Sequence, residues 1–213
     1  IVVLARAPGS TGDDGLSFFT VAGDADGMGR RRLQGVDDTR KLARLEFKGV
    51  QAQLLGSEGG AAAPLARTLD QAVACLANEM VGGAEALREQ ALDYAQLRMQ
   101  FGRTIASFQT MKHKSADMLI DVELAKSAAY YAAAAADGDH DGDEELGAMA
   151  SLAKAGAAET YMQTAIHTIQ IHGGIGFTWD NDTHLWFKRA KSSEVFLGDP
   201  SYHRELMLQR WQG

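Results

Sequence analysis

The sequence predicts an α+β protein in which a small β part is followed by a bundle of helices. In the first 58 residues, short β-branched and aromatic runs alternate with glycine and aspartate, as strands alternate with turns. The clearest predicted strands are Leu16–Ala22 and Ala43–Val50. From residue 59 to residue 213, apolar residues recur every three or four positions, which is the period of a helix. The sequence therefore predicts one domain over residues 1–58 and a second over residues 59–213.

Five helices are expected in the second domain, at about 65–99, 108–136, 143–172, 183–196 and 200–211. The second helix carries one apolar stripe, which consists of Phe108, Met111, Met118, Val122, Ala125 and Ala129. Gly173 and Gly174 are expected to end the third helix because glycine readily adopts the left-handed conformation. Pro200 suits the first turn of the last helix. Antiparallel packing of these helices makes an up-and-down bundle.

Composition limits the classes of function. The chain has 213 residues, of which 46% are hydrophobic and 23% charged, and its formal net charge is −7. This charge argues against nucleic acid as a partner, and no apolar run is long enough to cross a membrane. The single cysteine, Cys75, indicates a reducing, cytoplasmic compartment and is expected to pack among its apolar neighbours. Because the chain starts at Ile1 in an apparent strand, we expect it to be a piece of a longer protein.

A metal site is not expected. Asp137–Gly142 resembles the start of a calcium loop, but the twelfth position is Ala148, where such a loop needs a bidentate carboxylate. A solvated turn between helices is the favoured interpretation. His167 and His172 are five residues apart, a spacing that does not align two ligands on one helical face.

Several segments resemble, in order and approximate spacing, the flavin-site helices of acyl-CoA dehydrogenases: Tyr94–Gly102, Phe108–Gln109, Ala116–Met118 and Gln170–Phe177. The first 56 residues also resemble the back half of the middle β-domain of that family, including Asp38–Arg40 before its last strand. The resemblance implies a partial β-barrel-like middle domain followed by the C-terminal helical bundle of the family.

The resemblance also implies a site for FAD. By match to the family motif, its residues are Arg98, Phe101, Gln109, Gln170, Gly173, Gly174 and Asp199. Arg98 would pair with the pyrophosphate, which suits a planar and permanently charged guanidinium group. Phe101 and Gln109 would lie beside the adenine. Gly173 and Gly174 would let the cofactor approach the backbone closely, since they have no Cβ.

The catalytic base of the family is missing from both of its usual positions. Family members remove the α-proton of an acyl-CoA thioester with a glutamate, commonly in a turn between the last two helices. Leu197 stands at that place, and Ala72 stands at the second known place on the first helix. Neither side chain accepts a proton.

Other carboxylates offer alternatives. Asp199 stands where the family has a flavin-contacting threonine, and it is either a displaced base or the N-cap of the last helix. Ser201 replaces a common glutamine of the family. Glu79 lies two helical turns after Ala72 and so faces a similar direction. Glu194 is expected to pair with a neighbour such as Lys191.

Three functions remain open at this point. The chain is a working acyl-CoA dehydrogenase with an unusual base, a non-catalytic partner subunit of such an enzyme, or a family flavoprotein with another role. It resembles actinobacterial members, some of which form α2β2 tetramers that act on steroid side-chain or other bulky CoA esters. The expected partners are an acyl-CoA substrate, an electron acceptor, and other subunits in a homotetramer or an α2β2 heterotetramer.

Overall fold

The computed structural model describes residues 1–138 and 143–211. The chain forms two compact units, Ile1–Leu69 and a second unit that begins at Asp70. The first is built of strands and the second of helices, so the α+β prediction is confirmed. Among the described residues, no helix combines the length and the hydrophobicity that a membrane crossing requires.

The first unit contains five short strands: β1 Val2–Arg6, β2 Leu16–Thr20, β3 Met28–Arg32, β4 Ala43–Phe47 and β5 Gln53–Leu55. They form an antiparallel sheet in the order β1-β2-β5 and a separate ribbon of β3 and β4. The two strands predicted most clearly are confirmed as β2 and β4. The strand β3, whose sequence is Met-Gly-Arg-Arg-Arg, lacks the β-branched and aromatic residues that mark a strand, and its pairing with β4 holds it in place.

The five predicted helices follow the strands: α1 Ala62–Leu97, α2 Gln109–Ala136, α3 Asp143–His172, α4 Thr183–Val195 and α5 Pro200–Trp211. Their bounds agree with the prediction to within three residues. The largest difference is at α1, which starts earlier because Pro64 is compatible with a first helical turn. Pro200 opens α5, and Gly173 follows α3 with a φ of +66°, both as expected. The predicted acidic turn Asp137–Gly142 falls in part on residues 139–142, which lie outside the described residues.

Side-chain contacts show that neighbouring long helices run antiparallel. Lys126 of α2 contacts Glu85 of α1, and the Asn78 amide of α1 donates to the carbonyl of Ala129, so later residues of α2 meet earlier residues of α1. The same reversal relates α2 and α3, because the Thr160 hydroxyl donates to the carbonyl of Asp121, whereas the earlier residue Glu145 of α3 accepts from the later residue Tyr131 of α2. These three helices therefore form the predicted up-and-down arrangement.

Small residues allow the helices of the main core to approach closely. Tyr161 of α3 is fully buried, and a Cβ added at Gly83 of α1 would lie 2.6 Å from its ring. Alanines make up most of the remaining core, as on the buried stripe of α2. Cys75 is exposed, so the expectation that it packs in the core is wrong. It lies on the outer side of α1, between the buried residues Ala74 and Leu76.

Candidate cofactor site and the turn at Leu197

A second apolar cluster joins three helix ends. Its buried members come from the end of α1, the beginning of α2 and the end of α3: Ala91, Ala95, Met118 and Ile171. The Tyr94 ring adds a link, because it stacks on His172 with 4.3 Å between ring centroids. The cluster therefore brings the segment that follows α1 and the segment that ends α3 to the same end of the bundle. The predicted cofactor residues lie in these two segments, except Gln109, which starts α2, and Asp199.

A tight hairpin follows α1 at this end. The two-residue strands β6 Met99–Gln100 and β7 Arg103–Thr104 pair through a turn at Phe101 and Gly102. Both turn residues have positive φ, +53° and +77°, which is the geometry of a type I′ turn. A left-handed conformation is unfavourable for phenylalanine, and the Phe101 side chain is also 91% exposed. Strain combined with an exposed aromatic ring is characteristic of a functional position.

Cationic and aromatic groups surround the hairpin. The Arg103 guanidinium lies 3.9 Å from the centre of the Phe108 ring, and the Phe101 ring meets the edge of Phe108 with 6.2 Å between centroids. Arg98, the first residue after α1, is exposed. The sequence has no acidic residue between Asp93 and Asp117, although the whole chain is acidic. The hairpin therefore suits an anionic ligand that also carries an aromatic ring.

The end of α3 contributes polar side chains and accessible backbone. Gln170 is exposed, and its Oε1 atom accepts a hydrogen bond of 3.3 Å from Lys114. Gln109 at the start of α2 lies 3.4 Å from the His113 ring. Among the described residues, no atom lies within 4 Å of a Cβ added at Gly173 or Gly174. A ligand can therefore approach the backbone there.

The turn between α4 and α5 has an unusual conformation at the position where a base is expected. Leu197 has a φ of +60°, and Gly198 has a φ of +111°. The Leu197 side chain is partly buried and packs against the main core. A Cβ added at Gly198 would lie 2.5 Å from the Tyr202 ring and 2.9 Å from Nε2 of His203. Glycine is therefore required at position 198, and residue 197 is an apolar contact.

Two buried cationic or titratable side chains hold this turn. Lys154 of α3 is 0% exposed and donates to the carbonyls of Gly198 at 2.9 Å and Glu194 at 3.1 Å. His203 of α5 is 2% exposed, and its Nε2 lies 3.0 Å from the carbonyl oxygen of Leu197. Within residues 1–138 and 143–211, the Nδ1 atom of His203 has no hydrogen-bond partner. The turn is thus fixed by one side chain from α3 and one from α5.

Burial changes the acid–base properties of both side chains. Burial lowers the pKa of Lys154 to about 8, although Glu194 and Asp199 oppose the shift. Burial also lowers the pKa of His203, while the Leu197 carbonyl opposes that shift. Neither residue was predicted from the sequence. A lysine flanked by alanines in the buried face of α3 was the available signal for Lys154.

The alternative carboxylates have other partners in the structure. The Oδ1 atom of Asp199 accepts a hydrogen bond of 2.8 Å from the backbone N–H of Tyr202, which is the N-cap interaction. Glu79 forms an ion pair of 3.0 Å with Arg189 of α4. Glu194 pairs with Lys191, as expected. About 27 Å of helix separate Glu79 from Leu97, at a rise of 1.5 Å per residue.

Comparison with known proteins agrees with this arrangement. The family model for the C-terminal domain of acyl-CoA dehydrogenases matches residues 58–212. Acyl-CoA dehydrogenase IpdE2 of Mycobacterium tuberculosis is 37% identical over 178 residues, which are 83% of this chain and 50% of the relative. Butyryl-CoA dehydrogenase of Megasphaera elsdenii has the same fold, with a TM-score of 0.92 at 24% identity over all of this chain and 56% of that protein.

A variant of the steroid ACAD Tcur3481-Tcur3483 also matches, with a TM-score of 0.82 and 29% identity over 99% of this chain and 54% of that protein. The chain belongs to the acyl-CoA dehydrogenase family. It spans about half the length of the relatives described above.

Proposed function

We propose that the chain is part of an FAD-dependent acyl-CoA dehydrogenase, which converts an acyl-CoA thioester to a trans-2-enoyl-CoA. The observation that carries the proposal is the cation-rich hairpin after α1, which lies at the same end of the bundle as Gln170 and Gly173. When bound, FAD supplies the acceptor for the hydride that leaves the β-carbon, while a carboxylate takes the α-proton. The two transfers together form the carbon–carbon double bond.

Residues of this chain hold the cofactor in the proposal. Arg98 would neutralise the pyrophosphate, and Phe101 and Gln109 would lie against the adenine. Gln170 offers its side-chain amide, and the backbone at Gly173 and Gly174 lets the cofactor approach. Asp199 is a further candidate contact, since it stands in the turn after α4 and is exposed.

We assign the chain the supporting role in an α2β2 assembly, in which another subunit provides the catalytic carboxylate. Leu197 packs against the core, and the Asp199 carboxylate caps α5 through Tyr202. Glu79 is held by Arg189. Position 197 therefore carries an apolar side chain, and the carboxylates of Asp199 and Glu79 each have a structural partner.

The second candidate is a dehydrogenase that works as a homotetramer with Asp199 or Glu79 as its base. Two observations favour this candidate. Asp199 is exposed, and the Glu79 side chain keeps 44% of its surface accessible beside Arg189. A carboxylate that is exposed in this way can leave its present partner and accept a proton from a substrate.

An exposed apolar groove supports association with other subunits in either case. A cavity of about 580 Å³ lies between α2 and α3, and its lining includes Tyr131, Leu152 and Trp211. Leu124 lines the neighbouring cavity on the same two helices and is 67% exposed.

Similarity to a steroid ACAD supports a bulky acyl-CoA ester as the substrate. The proposed electron acceptor is a redox protein that reoxidises the flavin.

Anaerobic bleaching of the visible flavin band tests the proposal. The full-length parent protein is mixed with straight and bulky acyl-CoA esters, alone and after co-expression with a candidate partner subunit. Bleaching that needs the partner supports the supporting role. Bleaching by the protein alone would favour the second candidate, and loss of that bleaching in Asp199→Asn or Glu79→Gln would identify the base. A full-length protein that carries no flavin in either form would contradict both.

A further inference from the structure

Three side chains of α2 and α3 form a polar cluster beside the candidate cofactor residues. The Nζ atom of Lys114 lies 3.1 Å from Nδ1 of His167 and 3.3 Å from Oε1 of Gln170. Lys114 and His167 are partly buried, whereas Gln170 is exposed. The cluster thus joins a partly buried cation to the exposed amide that we assign to the cofactor site.

The chemistry of the lysine determines the orientation of both partners. An ammonium group has three donors and no acceptor, so it can contact only the oxygen of the Gln170 amide. The two N–H donors of that amide then project away from Lys114. For the same reason, Nδ1 of His167 must accept from Lys114, which places the proton of the neutral ring on Nε2.

We propose that Lys114 is a positioning residue, which presents the N–H donors of Gln170 to the cofactor as long as His167 is neutral. The proposal rests on the proposed function, since it assumes that the site holds FAD. It assigns roles to Lys114 and His167, which the sequence motif does not include. The site is therefore expected to be sensitive to pH through a residue that does not touch the cofactor.

A proton added to His167 would convert Nδ1 into a donor that faces the ammonium 3.1 Å away. The two like charges would separate, and the Gln170 amide would lose its fixed orientation. Burial and then Lys114 lower the pKa of His167, against the opposing effects of Gln170, Asp117 and Asp121. The ring is therefore neutral at pH 7, and the cluster is lost as the pH falls below the usual range of histidine.

Flavin retention by the full-length protein in its assembled form tests the proposal. The dissociation constant of FAD is measured by flavin fluorescence between pH 5 and pH 8 for the parent protein and for Lys114→Met. We expect Lys114→Met to raise this constant roughly fivefold at pH 7, the size expected for one lost hydrogen bond. We also expect the variant to lose the weakening that the parent shows at low pH. Lys112→Met is the matched control, because it removes an equal charge from an exposed position nearby.

His167→Asn provides a second arm. Its amide oxygen can accept from Lys114 but does not titrate, so we expect near-normal flavin retention at pH 7 with less pH dependence. Equal effects of Lys114→Met and Lys112→Met would overturn the proposal, as would an unchanged pH profile in His167→Asn. Arg98→Ala distinguishes a failure of the proposed role of Lys114 from a failure of the proposed function. If Arg98→Ala loses flavin and Lys114→Met does not, only the role of Lys114 fails; a parent that binds no flavin refutes the proposed function itself.

Discussion

Replacement of Leu197 by glutamate restores a carboxylate at the position where the family commonly has its base, and we expect it to give the chain activity of its own. The backbone of the turn should tolerate the change. Its left-handed conformation is held by Lys154 and His203 through the Gly198 and Leu197 carbonyls, and the variant keeps these contacts. The buried Lys154 ammonium also favours an ionised carboxylate nearby.

The stability lost in this variant can be estimated from the packing. Leu197 is partly buried against the core, and losing part of the burial of a leucine side chain costs about 1 to 2 kcal/mol. The backbone strain at φ +60° is common to both side chains and does not enter the difference. We therefore expect a folded variant with a moderately lower midpoint of thermal unfolding.

The assay is the rate of flavin bleaching by acyl-CoA esters under anaerobic conditions, without a partner subunit. Leu197→Gln is the matched control, because it has the same shape and polarity as the glutamate variant but cannot accept the α-proton. We expect bleaching with glutamate and none with glutamine. Equal rates for the two variants would refute the reasoning, since they would show that the side chain at position 197 does not reach the reacting carbon.

Three further predictions follow from single contacts. Arg98→Ala should lower the flavin content of the assembled protein, measured by absorbance, and Arg98→Lys should recover only part of it because an ammonium cannot replace the bidentate guanidinium. Gly83→Ala should destabilise the fold by about 1 to 3 kcal/mol in urea unfolding, because its Cβ would overlap the Tyr161 ring. Gly82→Ala is the matched control: an added Cβ meets no described atom within 4 Å at this exposed position, and the fold should be stabilised by about 1 kcal/mol. The pKa of Lys154 is about 8 in the folded chain and 10.5 ordinarily. Between pH 8 and pH 10.5, the unfolded chain therefore binds one more proton than the folded chain, and the free energy of unfolding rises with pH. Lys154→Met should abolish that rise, and a retained rise would show that another group titrates.

The helices could be predicted from the sequence through two signals, which are apolar residues at helical spacing and residues that mark helix ends. Apolar residues recur at helical spacing over all of α2, and Gly173 and Pro200 mark neighbouring boundaries through their own backbone preferences. The hairpin at Phe101 could not be predicted in the same way, because strands of two residues have no detectable period. Its sequence was recognised only as part of a family motif.

The contacts that hold the candidate site depend on residues far apart in the chain. Lys154 reaches the carbonyl of Gly198, and Lys114 reaches Gln170, only after α3 has packed against its neighbours. The sequence shows each of these lysines as one polar residue in a helix. It does not show that Lys154 is buried against the turn at Gly198, or that Lys114 contacts the Gln170 amide. The sequence therefore identifies candidate residues, but it does not identify the contacts that hold them in place.

Under the proposed function, the separation between the hairpin after α1 and the positions sought for a base accounts for a chain that contributes to a flavin site without supplying the base. Arg98 and Phe101 lie beyond the end of α1, whereas Glu79 lies about 27 Å before that end, at 1.5 Å per residue. Glu79 pairs with Arg189 of α4, the helix that leads into the turn at Leu197. Under the proposed function, a substitution that removes the base at Leu197 leaves the cofactor end of the same chain intact. Such a chain can complete a flavin site whose carboxylate comes from another subunit, and selection on that role would preserve Arg98 and Gln170 without preserving a base.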